Sequence, residues 1–340
     1  MNIVELSKKR ENQYTDFIES HECTLFYYSL GFRDLVSSHL DCQSKYLLAL
    51  EDEKITGILP LMLKKGKYGI VANSLPFFGS NGGVISKSLS AKDELISYYN
   101  KLACSEGILA STIIENPIYD NRSINLDFDF EDSRIGQITE LQDTEGNKID
   151  ILSNIDSSAR RNVKKALKNK ISVKRINDNQ ASNFLSDIHN KNMTEIGGLV
   201  KDISFFDSLP KHLNESHDYN IYVAFYEDKP IAALLLFYFN QTVEYYTPAI
   251  VEEFRSLQPL ALIIFEAMTE AMDQGYKYWN WGGTHVGMDG VYRFKKKWDA
   301  KDRPYKYFTK LNNRQVLDLP IEELLKEYPN FYVLPFTAMK

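Results

Sequence analysis

The chain has 340 residues, more than one ordinary core holds and about right for two. Hydrophobic residues at 44% and charged residues at 25% are normal for a soluble globular protein, and a net charge of -6 with a pI near 5.6 argues against a constitutive nucleic-acid binder. Cys23, Cys42 and Cys104 are too widely spaced for a metal pattern or a disulfide framework, so buried thiols in a reducing cytoplasm are expected, with no metal.

No signal-length apolar run opens the chain, and the longest apolar run, residues 231–239, is far short of the roughly 20 residues a membrane helix needs. Residues 3–6 predict a short strand, followed by helices in which Leu30, Leu35, Val36 and Leu40 recur at near-helical spacing as core. The period then changes. Residues 46–50, 55–63 and 68–73 are apolar stretches divided by EDEK and KKGKYG, the pattern of an antiparallel meander. Residues 76–83, PFFGSNGG, form a glycine-rich turn without the lysine-serine pair of a P-loop. A helix over 91–106 ends at Gly107, and a strand over 108–114 stops at Asn116-Pro117.

Residues 156–170, DSSARRNVKKALKNK, predict a helix that Asp156, Ser157 or Ser158 can cap. Val163 and Leu167 give it one apolar stripe, and Arg160, Arg161, Lys164, Lys165 and Lys168 give it a basic face suited to phosphates or to plain solvation. A strand over 171–176 and helices over 179–195 and 204–213 follow.

The plan of the first half then returns. Strands over 221–226 and 231–239 flank EDKP, a third strand covers 242–247 with a break at Pro248, a helix runs over 260–274, and Gly275 precedes another strand. The two EDEK-type turns are offset by 175 residues and the two helix-ending glycines by 168, which points to an internal duplication. The second copy carries the polar aromatics and basic groups, so the chemistry is expected there or between the copies.

Its closing stretch is the most informative. Tyr276, Tyr278 and Asn280 alternate with Lys277, Trp279 and Trp281, which fits a strand over 276–281. Gly282 and Gly283 are expected to end that strand and allow a close approach, with His285 on the loop beyond. After Gly290 comes a basic helical turn carrying Arg293, Phe294 and Lys295.

The succession of an aromatic strand, WNWGG, a short spacer and GVYRFK resembles the closing segment of the Fem peptidyltransferase family and its relatives in the GNAT superfamily. Gly290, Arg293, Phe294 and Lys295 match their Gly-x-x-x-Phe-Lys element. Ser157 or Ser158, Arg161, Asn162, Lys165, Ala166 and Lys168 resemble the helix that opens the second domain in these families. The resemblance implies an α/β (α+β) chain of two tandem GNAT-like domains, each a mostly antiparallel mixed sheet flanked by helices, over residues 1–150 and 151–312, with 313–340 as an extension packing back on the body.

It also implies acyl transfer to an amine, with acyl-CoA as co-substrate and a small molecule, sugar nucleotide or envelope precursor as acceptor. The alternatives are an aminoacyl-tRNA donor or a catalytically dead domain that binds an anionic ligand. In such folds the third hairpin strand and the strand after the helix splay apart to admit the donor, and the helix N-terminus receives its pyrophosphate. Here the intervening loop, residues 249–259, has no glycine, so Arg255 and Gln258 are its candidate donor-binding groups, with Trp281, Gly282 and Gly283. Lys295 is the candidate oxyanion-stabilising cation, and Glu244 or Tyr246 the proton acceptor or water holder. Arg160, Arg161, Lys164, Tyr245, His285 and Arg293 are candidates for gripping the acceptor, and His285 is also a candidate base.

Overall fold

The computed structural model describes residues 1–76, 81–119, 125–143, 145–285, 289–335 and 338, and of His285 the backbone alone. The chain forms two compact units, Met1–Ile135 with Arg303–Lys340, and Gly136–Asp302. The division therefore falls earlier than residue 150 and again before residue 312. The 313–340 segment packs on the first unit, where the Tyr328 hydroxyl donates to the Gly69 carbonyl at 3.0 Å and the Tyr332 amide to Asn73 Oδ1 at 2.7 Å.

The first unit holds β1 (Asn2–Glu5), α1 (Glu11–Ser20), α2 (Leu30–Leu40), β2 (Gln43–Ser44), β3 (Leu47–Glu51), β4 (Lys54–Leu59), β5 (Met62–Gly66), β6 (Gly69–Asn73), β7 (Ile85–Ser86), α3 (Leu89–Ala103) and β8 (Ile108–Ile114). One sheet has the order β1-β3-β4-β7, and a second series runs β8-β6-β5-β2. The stretch 55–63, expected as one strand, is two. Pro60 has no N–H to give a ladder, so the chain breaks there and β4 and β5 enter different sheets. The parallel β6–β8 seam stays closed. Its pairing reaches Asn73↔Thr112 and is continued by Ser74 N–H to Thr112 O at 2.9 Å and Gly82 N–H to Ile114 O at 3.2 Å. Of the glycine-rich turn, residues 77–80 lie outside the described ones.

In the second unit the elements are β9 (Phe130–Glu140, from Gly136 onward), α4 (Ile151–Asn154), α5 (Ser157–Lys168), β10 (Ser172–Arg175), α6 (Asn179–Glu195), α7 (Ile203–His212), β11 (Tyr219–Tyr226), β12 (Lys229–Phe239), β13 (Thr242–Ile250), α8 (Pro259–Asp273), β14 (Tyr278–His285) and α9 (Asp289–Lys296). The strand order is β10-β11-β12-β13-β14-β9. From β10 to β13 the pairing is antiparallel, and β13–β14 is parallel. A return strand, β15 (Lys301–Leu311), pairs from Tyr307 to Leu311 with β8 in the first unit, which also carries α10 (Ile321–Glu327).

Helix α8 starts at Pro259, the first-turn position proline tolerates, and its PLALIIFEAM sequence is apolar nearly all round. It packs with α5 on one face of the sheet, over Leu234, Leu236 and Tyr238. Helices α6 and α7 cover the other face, where Phe205 and Phe237 meet Tyr246. Asp156 caps α5 by accepting from Ser158 N–H at 2.7 Å. The cysteines are free, with Cys23 and Cys42 half-buried and Cys104 exposed where a buried thiol was expected. Among the described residues no helix is long and apolar enough to cross a membrane.

Candidate active site

The site begins where β13 and β14 part. They pair at Thr242↔Tyr278, Val243↔Trp279 and Glu244↔Asn280, and no further. Local chemistry accounts for the fork. The β12–β13 register shifts so that Leu235 faces Thr247 and Leu236 faces Tyr245, leaving Tyr246 as the extra residue of a bulge. A bulge bends its strand and sharpens its twist. Pro248, expected to end the strand, lies inside β13 opposite Leu234. It is tolerated because it falls beyond the pairing with β14, where that edge has no ladder to lose.

On β14, Asn280 ties the fork. Its Nδ2 donates to Glu244 Oε2 at 2.8 Å, and its Oδ1 accepts the Gly282 N–H at 2.9 Å. Gly282 takes a left-handed φ of 71°, yet the strand continues to His285 rather than stopping at the glycine pair. Its other neighbour, β9, supports it there: Trp281 Nε1 donates to Thr139 Oγ1 at 2.9 Å and Thr284 Oγ1 to Gln137 Oε1 at 3.3 Å.

A cavity of about 640 Å³ opens beside the fork on the α5–α8 face. Tyr245, Pro248 and Ile250 supply one wall, Leu260 and Ala261 the first turn of α8, and Ala159 and Asn162 the side of α5. Gly290, Val291, Phe294, Lys295, Lys297 and Trp298 close it from α9 and the turn after it. Arg255 and Gln258 stand at the start of α8. The loop lacks glycine, but Gln258 takes the left-handed conformation a glycine would favour, φ 63°, and its Nε2 donates to Arg255 O at 2.9 Å. A ligand phosphate near this helix start would meet the positive end of α8 and the Arg255 guanidinium.

Lys295 is 5% exposed, although its neighbours Lys296 and Lys297 are exposed. Its Nζ donates to Gly282 O at 3.2 Å, Gly283 O at 3.3 Å and Thr284 Oγ1 at 2.9 Å, along the β14 edge that β13 leaves open. Burial lowers its pKa to about 8. The ammonium is thus mostly charged at neutral pH, in a water-poor wall where a cation acts strongly.

The other expected residues divide between the two sheet faces. Tyr245 points to the cavity side, its ring tilted against Trp281 at 4.9 Å and Trp279 at 6.2 Å. Trp281, Gly282 and Gly283, expected to touch the donor, are not among the lining residues, and Trp281 is buried behind the lining against Trp298 at 6.1 Å. Glu244 and Tyr246 lie on the α6–α7 face. Glu244 is 1% exposed, and the Tyr246 ring packs on Phe237 at 4.6 Å under the Lys201 ammonium at 5.2 Å.

The basic residues expected to grip the acceptor, Arg160, Arg161, Lys164 and Arg293, are not among those lining the cavity. Arg160 turns back to the Ser153 and Ile155 carbonyls at 3.3 and 3.2 Å, and Arg161 bonds Ser157 within its own helix. Lys164 and Arg293 are exposed, Arg293 bonding the Asp289 carbonyl at 3.2 Å. His285 belongs to β14 rather than to a loop, and its side chain lies outside the described residues. Sequence reasoning gave no role to Lys297, Trp298 and Asn162. Asn162 was visible only as a position in the basic helix motif, and the KKKW run shows no periodicity that marks its last two residues as lining.

The acetyltransferase (GNAT) domain model matches residues 154–296, which span the fork, the cavity and Lys295. No curated protein matches the chain. Among solved structures, the crystal structure of FemX superposes with a TM-score of 0.70 at 14% identity, over 94% of this chain and 99% of that one. The C-terminal domain of a putative lysylphosphatidylglycerol synthetase from Agrobacterium fabrum gives 0.57 at 9% identity, over 96% and 99%. A tandem GNAT protein from the clavulanic acid biosynthesis pathway gives 0.52 at 9%, over 91% and 98%. At such identities the likeness is one of fold. The acetyltransferase (GNAT) domain model thus lies over the open fork, and along the chain the fold is similar to that of FemX and of a tandem GNAT protein.

Proposed function

We propose that the second unit moves an acyl group from acyl-CoA to an amine on a small molecule, a sugar nucleotide or a cell-envelope precursor. The observation that carries this reading is the fork itself, three paired residues and then a cavity of about 640 Å³ with a buried ammonium in its wall. That volume lies in the range of small-molecule sites, and its largely apolar lining suits a flexible pantetheine arm.

In this reading the acyl carbonyl lies at the fork, where β13 beyond Glu244 keeps its pairing with β12 but has no partner on its β14 side. The amine attacks the carbonyl carbon, the C=O electrons move to oxygen, and the oxyanion is met by Lys295. Collapse expels the thiolate and leaves the amide, while the amine proton passes to Glu244 on the α6–α7 face, where the Tyr246 hydroxyl, kept protonated by burial, is left to hold a water. Arg255 and the start of α8 hold the anionic end of the donor. Arg160, Arg161, Lys164 and Arg293 are left to an acceptor that reaches beyond the cavity.

Arg255→Ala should raise the donor KM about tenfold with kcat little changed, because the contact is made equally in ground and transition states. Steady-state kinetics with acetyl-CoA measures this. Donor class is tested by thermal shift with acetyl-CoA, UDP-sugars and aminoacyl-tRNA. A ligand at a hundred times its Kd stabilises the folded chain by about 2.7 kcal/mol. A shift with acetyl-CoA supports the proposal. A shift with aminoacyl-tRNA alone replaces the donor, and binding without turnover replaces enzyme by binding module.

A further inference from the structure

Behind the fork, on the α6–α7 face, the stretch of β13 past the bulge carries a second set of groups. His189 on α6 is 5% exposed, and its Nδ1 lies 3.3 Å from the Pro248 carbonyl. A carbonyl only accepts, so Nδ1 carries the hydrogen and Nε2 is left as a bare acceptor. Nε2 is buried and has no hydrogen-bond partner among the described residues, and the same holds for Thr247 Oγ1 and the Tyr246 hydroxyl beside it on the strand. The imidazole is held in place. One turn along α6, Asn192 exchanges two bonds with Ile250, Nδ2 to O at 3.1 Å and backbone N–H to Oδ1 at 3.0 Å. Pro248 and Ile250 also line the cavity, so His189 and the cavity share one strand as a wall, and that strand has no partner on its β14 side at this point.

Unsatisfied buried acceptors are costly unless a ligand fills them. We infer that His189 positions the nucleophile, its Nε2 accepting an N–H from a neutral primary amine that enters on the α6–α7 face and meets the acyl carbon through the open fork. This rests on the acyl-transfer reading above. Burial, with the Lys201 ammonium nearby, lowers the His189 pKa to about 4. The ring thus stays an uncharged acceptor at neutral pH, which favours an N–H donor over a carboxylate. Lys201, whose pKa burial lowers to about 7, and Glu244 are buried ionisable groups on the same face.

The probe is trifluoroethylamine, which is largely uncharged near neutral pH, followed by fluorine NMR and by NMR of isotope-labelled histidines on the full chain. In the wild type the His189 Nε2 resonance should report an unprotonated nitrogen and move as the amine binds, with acetate leaving it in place. His189→Phe should weaken amine binding about tenfold, the loss of one buried hydrogen bond, and His189→Gln, whose amide oxygen can accept, should recover most of it. With acetyl-CoA as donor, His189→Phe should raise the amine KM by a similar factor and leave the donor KM within about twofold. A hydrogen on Nε2, a resonance indifferent to the amine, or equal amine binding by His189→Phe overturns the assignment. If His189 responds to the amine but no acyl transfer occurs with acetyl-CoA or aminoacyl-tRNA, the amine site at His189 stands, while the acyl-transfer reading falls and with it the role of that amine as nucleophile.

Discussion

Replacing Lys295 by Met should lower turnover by about a hundredfold or more while the chain still folds, because the ammonium is the one buried cation lining the cavity beside the open edge of β14. Met keeps the length and apolar stem and removes only the charge and its donors. Lys295→Arg keeps the charge in a bulkier, forked form, so it should retain part of the activity but not all of it. The pH profile gives an independent reading. With a pKa of about 8, Lys295 loses its proton above that pH, so kcat/KM should fall tenfold per pH unit well above it. In Lys295→Arg that limb should disappear.

Stability runs the opposite way. The folded pKa lies below the ordinary 10.5, so between about 8 and 10.5 the unfolded chain binds more protons, and this group's contribution to stability rises with pH across that window. Below pH 8 the cost of burying the charge is fully present. Lys295→Met should therefore show a melting temperature that rises less than the wild type over the same window. Turnover within threefold of wild type in a folded Lys295→Met protein would remove this residue from the chemistry.

The largest stability effect is expected at Trp281. It is 2% exposed and sits between Tyr245 at 4.9 Å, Trp279 at 5.8 Å, Phe294 at 5.9 Å and Trp298 at 6.1 Å. Its indole N–H donates to Thr139 Oγ1, whose own hydroxyl donates to the Trp298 carbonyl at 2.8 Å. Trp281→Ala empties the aromatic core behind the cavity wall and leaves Thr139 without that donor. A loss of about 3–5 kcal/mol is expected, read by urea unfolding of the full chain. Trp281→Phe retains the ring packing and gives up the hydrogen bond, so it should cost about 1–2 kcal/mol. A Trp281→Ala protein as stable as wild type would mean that this aromatic cluster does not hold the fork.

The sequence carried much of this in its periodicity and punctuation. The strand over residues 108–114 and the helix over 179–195 occur as expected, since β-branched and apolar runs, an Asp cap and helix-ending glycines act locally. Two long strands escaped. Strand β9 reads FEDSRIGQITE, too polar over its first half to show alternation, and β15 opens KDRP, where the proline hides a strand that begins in earnest at Tyr305.

The fork was legible only through family resemblance, because the bulge at Tyr246 depends on which residue of β12 faces which of β13, and register is a tertiary fact. Burial of Lys295 shows the same limit. In KKKW nothing local distinguishes one lysine from the next, and only the packing of α9 against β14 turns that one inward. His189 gave no signal, being one polar residue on a helix face.

The central claim is that the reactive cleft is the gap between β13 and β14. A crystal structure with acetyl-CoA bound tests it most directly. The account predicts the pantetheine arm in the cavity beside Tyr245 and Trp298, the thioester carbonyl at the fork within reach of Lys295, and the phosphates at Arg255 and the start of α8. Acetyl-CoA lodged in the first unit along the β6–β8 seam, or β13 and β14 zipped together past Glu244 with the donor on the outer surface, would contradict it.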